Sequence, residues 1–199
     1  MVKRKTVTGL DIGTSNVRVV VGEFNVDGTI NIIGVGTSPS GGLRKGVIVD
    51  LDKTVESIHA ALEEAERMVG YKINEVYAGM VGSHVSLINN RGVVAVSRED
   101  KEITEEDTAR VLQAAKVIAI PPDREIIDVL PREFVVDGYD GIKDPVGMLG
   151  VRLEVDALII TGAMTSLRNL IRCINRAGLQ MDGLILNSLA NAEVCLSRD

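Results

Sequence analysis

The stretch from Gly9 to Asn16, which reads Gly-Leu-Asp-Ile-Gly-Thr-Ser-Asn, limits the possible folds of this chain more than any other. It ends one apolar segment, turns tightly, and leads at once into the Val-rich segment at 17–21. A strand, a tight turn and a second strand place several backbone N–H groups on one concave bend, which is an anion-binding arrangement. Asp11 lies at the lip of this bend, where a carboxylate can hold a cation or its waters.

Three phosphate-binding designs compete for this turn. A P-loop needs Gly-Lys-Ser/Thr ahead of a helix, and a dinucleotide fingerprint needs three spaced glycines that open a helix; the turn has neither. The third design is a β-hairpin loop whose N–H groups, from Gly13 through Thr14 and Ser15 to Asn16, surround phosphate oxygens while Asp11 faces a divalent metal. A simple tight turn between strands remains open, because a short Asp-x-Gly-Thr also occurs by chance.

The first 80 residues predict a meander followed by a helix and a strand. Strands are expected at 6–12, 17–25 and 29–37, with Asp27-Gly28 as the hairpin turn between the last two. Asp50 or Asp52 can cap a helix whose apolar residues recur every three or four positions, and Gly70 is its expected end. Another apolar strand is expected at 73–80.

The pattern changes from about residue 84, and we interpret 84–161 as a strand-helix-strand-strand module. Two short strands are expected to flank a turn at 89–92, and Thr104 to cap a helix that extends to Ile118 and is stopped by Pro121-Pro122. Strands follow at 125–136 and 151–161, separated by a loop at 137–150. The rest predicts a helix at 165–177 ended by Gly178, a strand at 184–186 and a helix from Ser188 that runs to the chain end.

Composition excludes some classes of function. The formal net charge of −6 argues against a nucleic-acid-binding surface, which is normally basic. No apolar run approaches the length of a transmembrane helix. The two cysteines, Cys173 and Cys195, lie in apolar helical contexts without CxxC spacing, so we expect buried reduced thiols.

The order of predicted elements is that of one half of an actin-like ATPase, and the turn at 11–16 resembles the first phosphate motif of the actin and heat-shock chaperone superfamily. Within that superfamily the chain resembles the FtsA family of bacterial cell-division proteins. The stretches that carry this resemblance are GLRKGVIVD (42–50), GSHV (82–85), IPPDRE (120–125), PREFVVD (131–137), DPVGM (144–148) and GVRLE (150–154).

The resemblance implies an α/β fold, specifically an actin-like (ribonuclease-H-like) half with an inserted subdomain. Residues 1–83 and 162–199 would form subdomain 1A, an incomplete ATPase half, and residues 84–161 the inserted, SHS2-like subdomain 1C. Because the last helix is expected to run to the chain end, we interpret the sequence as the N-terminal part of a longer protein. The second phosphate loop and the adenosine-binding segment would then follow residue 199.

The resemblance also implies ATP and Mg²⁺ as cofactors, with Asp11 orienting the waters of the metal and Gly13, Thr14, Ser15 and Asn16 contacting phosphates. Many relatives in the superfamily carry a basic residue near the position of Asn16, which offers donors without charge. No catalytic residue is identified, and we expect an ATP-binding adaptor rather than an enzyme. With half of the cleft absent, these 199 residues are expected to bind ATP weakly or not at all.

As an FtsA-like protein, the whole molecule would polymerise, tether FtsZ filaments to the inner face of the membrane and recruit late division proteins. FtsZ would bind mainly through the missing part, and the membrane only through a missing C-terminal amphipathic helix. Self-association and late division proteins would use 84–161, with the loop at 137–150 and the helix at 104–118 as candidate surfaces. The expected location is the cytoplasmic face of the membrane at the division site.

Two alternatives to the FtsA hypothesis remain. A pilus-assembly protein of the PilM type would share the relocated module and differ in its partners. A sugar-kinase-type enzyme of the same superfamily would need a catalytic carboxylate in the cleft and a substrate pocket, for which the sequence offers no convincing candidate.

Overall fold

The computed structural model of the chain describes residues 5–80, 82 and 84–196. Ser83, within one of the stretches that carry the resemblance, lies outside the described residues. The described residues up to His84 form one compact unit with those from Thr165 onward, and Val85–Met164 form a second compact unit.

Eleven strands and four helices make up the described part of the chain. In order they are β1 (Thr6–Ile12), β2 (Asn16–Phe24), β3 (Ile30–Pro39), β4 (Leu43–Arg44), β5 (Val47–Ile48), α1 (Leu51–Val69), β6 (Glu75–Met80), β7 (Val85–Ala95), α2 (Glu105–Ala115), β8 (Arg124–Val136), β9 (Tyr139–Ile142), β10 (Arg152–Ala163), α3 (Met164–Arg176), β11 (Gln180–Leu186) and α4 (Asn187–Cys195).

A five-stranded sheet with the order β11-β6-β1-β2-β3 organises the first unit. β11, β6 and β1 run parallel, whereas β1, β2 and β3 pair antiparallel, so the predicted three-strand meander is confirmed. Its second turn closes as expected at Asp27-Gly28, with Gly28 at φ 83° and the Asn25 N–H donating to the Thr29 carbonyl at 2.8 Å.

Helices α1 and α3 supply apolar side chains to the core on this sheet. Ile58 and Ala61 of α1 and Cys173 and Ile174 of α3 are fully buried together with Val17, Val19 and Val21 of β2. α1 begins and ends where the sequence predicts: the Asp50 carboxylate accepts the Lys53 N–H at 3.1 Å, and Gly70 takes the left-handed conformation at φ 78°.

α1 also covers the free edge of β3. A Cβ at Gly36 would overlap the Ala61 carbonyl of α1, so only glycine lets the helix approach the strand so closely. The Thr37 N–H, on the same strand, donates to the Glu64 carboxylate of α1 at 2.7 Å. The helix thereby occupies an N–H group that an unprotected edge strand would offer to another chain.

A buried carboxylate fixes the end of α1 to the start of β6. Glu66 is 9% exposed, and it accepts the Ile73 N–H at 2.9 Å and the Lys72 ammonium at 2.6 Å. Burial raises the pKa of Glu66, but these hydrogen bonds outweigh burial and the net pKa is lowered. The contribution to stability is therefore present above the unfolded pKa and is lost as the pH falls through the lower folded pKa.

The second unit is a four-stranded antiparallel sheet, β7-β10-β8-β9, with α2 packed on one face. Thr104 caps α2 as predicted, because its backbone N–H and its hydroxyl both donate to the Asp107 carboxylate, at 3.0 and 2.9 Å. Val111 and Ala115 of α2 are fully buried against Phe134, Leu153 and their neighbours.

The predicted turn at 89–92 is wrong, because β7 is one continuous strand through Asn-Asn-Arg-Gly. A Cβ at Gly92 would overlap the Val111 carbonyl, so this glycine admits α2 rather than making a turn. The Asn90 side-chain amide donates to the Ala115 carbonyl at 2.8 Å and fixes the last turn of the helix on the strand.

Four further expectations are corrected. α2 ends at Ala115, so Ile118 lies beyond it and the Pro121-Pro122 pair is not its stop signal. The expected loop at 137–150 contains the short strand β9, which pairs with β8. α4 ends at Cys195 rather than running on, and Cys195 is exposed. Cys173 is buried as expected, and burial raises the pKa of its thiol.

Substitution of Gly92 tests whether it serves close packing or a turn. We expect Gly92→Ala to lower the free energy of unfolding of the second unit by about 1–3 kcal/mol, because the methyl group forces α2 away from β7. Gly92→Asn should cost more, although asparagine would be accepted in a left-handed turn. Gly9→Ala is the control, since nothing lies within 4 Å of the added carbon there. Denaturant unfolding measures each change; tolerance of Gly92→Asn would contradict the packing role.

Candidate functional site

The carboxyl ends of three parallel strands meet at one edge of the first sheet. Asp11 of β1 pairs with Gly79 of β6, and Gly79 pairs in turn with Ile185 of β11. Asn187 follows β11 directly as the first residue of α4. In open sheets with parallel strands, ligands bind beyond the carboxyl ends, so this edge is the natural place for a site.

Asp11 is held by a residue far away in the sequence. The Asn187 Nδ2 donates to Asp11 Oδ1 at 2.7 Å. The side chain of Asn187 extends over Gly79 to reach Asp11, and a Cβ at Gly79 would overlap Asn187 Oδ1. Asn187 after β11 and the space left by Gly79 of β6 therefore fix the orientation of the Asp11 carboxylate of β1.

A cation lies on the other side of the same carboxylate. The Arg18 guanidinium of β2 is 3.8 Å from Asp11 Oδ2, in an ion pair whose side chains are 52% and 36% exposed. Such an exposed pair contributes little to stability. Its consequence is local: the carboxylate lies between an amide donor and a guanidinium and remains accessible to solvent.

In the turn at 13–16, one backbone N–H group closes the turn and two others are left for solvent or a ligand. The Gly13 N–H donates to the Asn16 carbonyl at 3.0 Å and so closes the turn. Within the described part of the chain the N–H groups of Thr14 and Ser15 donate to no protein acceptor, and both residues are exposed. The donors that the turn leaves for an anion are therefore these two amides and the two hydroxyls.

The segment after β3 supports the turn from behind. The Ser40 N–H donates to the Ser15 carbonyl at 2.9 Å, and the Gly46 N–H donates to the Thr14 Oγ1 at 3.0 Å. Because Thr14 Oγ1 accepts this hydrogen bond, its own O–H remains able to donate to a ligand.

A groove of ≈ 410 Å³ opens beside Asp11 on the same face of the sheet. Its lining combines polar side chains with the half-exposed side chains of Tyr77 and Ile185. The residues that line it are Gly9, Leu10, Asp11, Arg18, Val20, Tyr77, Gly79, Ile185, Asn187, Ala190 and Asn191.

These groups fit a metal-bound polyphosphate better than a metal alone. Among the described residues no cluster of three or more His, Cys, Asp or Glu side chains could hold an ion. A Mg²⁺ ion with one carboxylate nearby takes its remaining oxygens from waters and phosphates, which is its usual coordination in nucleotide sites. Asp11 could supply that carboxylate, and Thr14 and Ser15 could supply donors for phosphate oxygens.

Sequence analysis singled out the turn and missed most of its supports. Five residues that the sequence did not indicate as site residues position the turn or Asp11. They are Asn187, Gly79, Arg18, Ser40 and Gly46. Gly79 and Gly46 carried a weak signal, since a glycine inside a strand or ribbon marks a close approach. Asn187 carried no signal of its own.

The described residues include no helix long and apolar enough to span a bilayer.

Comparison with known proteins defines the class first. Residues 82–161 match the family model "SHS2 domain inserted in FTSA". The solved structure "PilM-PilN type IV pilus biogenesis complex" superimposes with a TM-score of 0.65, covering 96% of this chain and 50% of that chain. At 18% identity this likeness concerns the fold alone. The chain is an α/β protein of the actin-like ATPase fold with an SHS2 domain inserted.

Relatives of higher identity define the family. The chain is 51% identical over 190 residues to the cell division protein FtsA of Bacillus subtilis, covering 96% of this chain and 43% of that protein. It is 39% identical over 196 residues to the FtsA of Escherichia coli, covering 98% of this chain and 46% of that protein. The chain belongs to the FtsA family of cell-division proteins, and it spans less than half the length of these relatives.

The Asp11–Asn187 contact makes a prediction that needs no ligand. Asn187→Asp places two carboxylates in contact, so we expect a loss of about 0.5–1 kcal/mol in the free energy of unfolding at pH 7. Asp11→Asn, which removes one of the two negative charges, should rescue the variant. Asn191→Asp, one helical turn further along α4, is the control. Denaturant unfolding at pH 7 measures this; failure of Asp11→Asn to restore the stability of Asn187→Asp would contradict the contact.

Proposed function

We propose that the turn at 13–16 and the groove beside Asp11 bind ATP with Mg²⁺, as one half of a nucleotide cleft. The observation that carries this proposal is the Asp11 carboxylate, which Asn187 orients across Gly79 and which a turn with exposed Thr14 and Ser15 follows in the chain. A carboxylate near backbone N–H groups and hydroxyls that can still donate suits a metal-polyphosphate, which brings negative oxygens and a cation together.

Each residue has a separate task in this proposal. Asp11 orients waters of the metal, and Thr14 and Ser15 donate to phosphate oxygens. Gly13 shapes the turn through its hydrogen bond to Asn16, and Asn16 offers amide donors without charge. When bound, Mg²⁺ neutralises part of the phosphate charge and fixes the phosphate conformation. We propose a binding adaptor rather than an enzyme, and assign no residue of this chain a catalytic role.

The proposed cellular role follows from the family. Relatives named cell division protein FtsA match nearly all of this chain, which supports a role in division. We propose that the whole protein polymerises, tethers FtsZ filaments to the inner face of the membrane and recruits late division proteins. FtsZ and the membrane would be bound mainly by parts beyond these 199 residues, and late division proteins by the second unit.

Nucleotide titration tests the site. We expect the full-length protein to bind ATP in a magnesium-dependent way and residues 1–199 to bind at least about 100-fold more weakly, because half a cleft leaves the base in water. Asp11→Ala should remove most of the magnesium dependence, whereas Asp182→Ala, an exposed acid on β11 of the same sheet, should not.

Isothermal titration calorimetry with and without Mg²⁺ measures these affinities. Tight, magnesium-dependent binding by residues 1–199 would show that the chain needs no second half. Failure of the full-length protein to bind ATP would refute the nucleotide proposal itself.

A second experiment tests the partner surface. Tyr139, 78% exposed on β9, is the aromatic side chain that the expected surface at 137–150 offers to a partner. In pull-downs from full-length protein, Tyr139→Ala should weaken capture of late division proteins at least about tenfold and leave FtsZ capture unchanged. Tyr71→Ala, in the first unit and 43% exposed, is the control. Equal losses for both partners would contradict separate surfaces.

A further inference from the structure

The proposed phosphate loop at 13–16 offers hydrogen-bond donors but contains no lysine or arginine. Arg18, which is nearest in sequence, is paired with Asp11 at 3.8 Å. Lys53, at the start of α1, is paired with Asp50 at 3.3 Å. Amides and hydroxyls alone would then face the triphosphate on a chain whose net charge is −6. Polyphosphate sites usually add a lysine or arginine to such donors.

A small two-stranded ribbon brings a lysine to the loop. β4 and β5 pair as Leu43 with Ile48 and Arg44 with Val47, so Lys45 and Gly46 form the tip. Both tip residues have positive φ, 50° and 76°, which is the pattern of a type I′ hairpin turn. The ribbon therefore ends in a two-residue tip whose backbone conformation is set by the turn.

The tip is in contact with the phosphate loop. The Gly46 N–H donates to Thr14 Oγ1 at 3.0 Å. The Cα of Lys45 is about 2.4 Å from the Gly46 nitrogen by standard peptide geometry, so it lies within about 5.5 Å of that hydroxyl. A lysine side chain extends about 6 Å from its Cα, so its ammonium can reach a ligand held by Thr14 and Ser15.

The base of the ribbon is fixed on both sides. The Ser40 N–H donates to the Ser15 carbonyl, and the Gly41 N–H donates to the Ser57 hydroxyl of α1 at 2.9 Å. The Gly42 carbonyl accepts the N–H groups of Val49 and Asp50 at 2.8 and 3.1 Å. The ribbon is thus anchored at its base to the loop through Ser40 and to α1 through Gly41, while the Gly46 N–H holds its tip to the loop.

The Lys45 side chain is available to a ligand, and its backbone conformation is unfavourable for a residue with a Cβ. It is exposed, and among the described residues it forms no ion pair. At φ 50° a glycine would satisfy the backbone with less strain than a residue with a Cβ. A lysine at this position, beside a loop that itself contains no lysine or arginine, can supply positive charge to a ligand of that loop.

We propose that Lys45 is a phosphate-binding residue, whose ammonium contacts the polyphosphate chain of the nucleotide held at Thr14 and Ser15. It supplies the positive charge that Asn16 does not. This inference rests on the proposed function, and the two fail in different ways.

Two substitutions separate charge from backbone conformation. Lys45→Gly keeps and relaxes the turn while it removes the ammonium, so the protein folds; Lys45→Arg keeps the positive charge. In the full-length protein titrated with ATP and Mg²⁺, we expect Lys45→Gly to weaken binding roughly tenfold and Lys45→Arg to stay within about threefold of the unmodified protein.

Lys101→Gly is a matched control, because Lys101 is an exposed lysine with φ 57° in the second unit. It should leave the affinity unchanged. Unchanged affinity in Lys45→Gly, or equal losses in Lys45→Gly and Lys45→Arg, would overturn the role of the Lys45 charge. Absence of ATP binding by the unmodified full-length protein would overturn the proposed function, and this inference with it.

Discussion

The candidate site depends on one register, that of β1, β6 and β11 at their carboxyl ends. Asp11, Gly79 and Ile185 are neighbours across three strands, and Asn187 follows two residues after Ile185. Since the side-chain period of a strand is two, a slip of one residue in β6 would place Ala78 or Met80 under Asn187. Either side chain would block the reach of Asn187 to Asp11, so the register and the missing Cβ of Gly79 are needed together.

The glycines show which structural roles can be predicted from the sequence and which cannot. Gly28 and Gly70 were correctly predicted to be turn and cap residues, because Asp-Gly between strands and a glycine after an apolar helical pattern are local signals. Gly92 was misread as a turn, although it lies inside β7 under α2. Its role is set by Val111, which is distant in sequence, and no local pattern distinguishes a glycine needed for packing from one needed for turning.

In the site, too, residues close together in the sequence could be predicted, whereas a residue brought in from a distant part of the chain could not. The turn from Asp11 to Asn16 could be proposed from the sequence because strand, turn and strand are contiguous there. Arg18 could have been found, since it pairs directly opposite Asp11 in the predicted hairpin. Asn187 could not, because its contact with Asp11 joins residues 176 positions apart and depends on the parallel placement of β11 beside β6.

The hydrogen bonds within and around the turn explain why it offers fewer donors to a ligand than its sequence implies. A tight turn must close itself, and here the Gly13 N–H is used for that closure. The turn must also be held against its surroundings, and the Ser15 carbonyl and Thr14 Oγ1 do this by accepting bonds from Ser40 and Gly46. Both anchoring bonds use acceptors of the turn and leave its exposed donors free. An anion loop fixed through its acceptors keeps its donors oriented before any ligand arrives, which reduces the cost of ordering them.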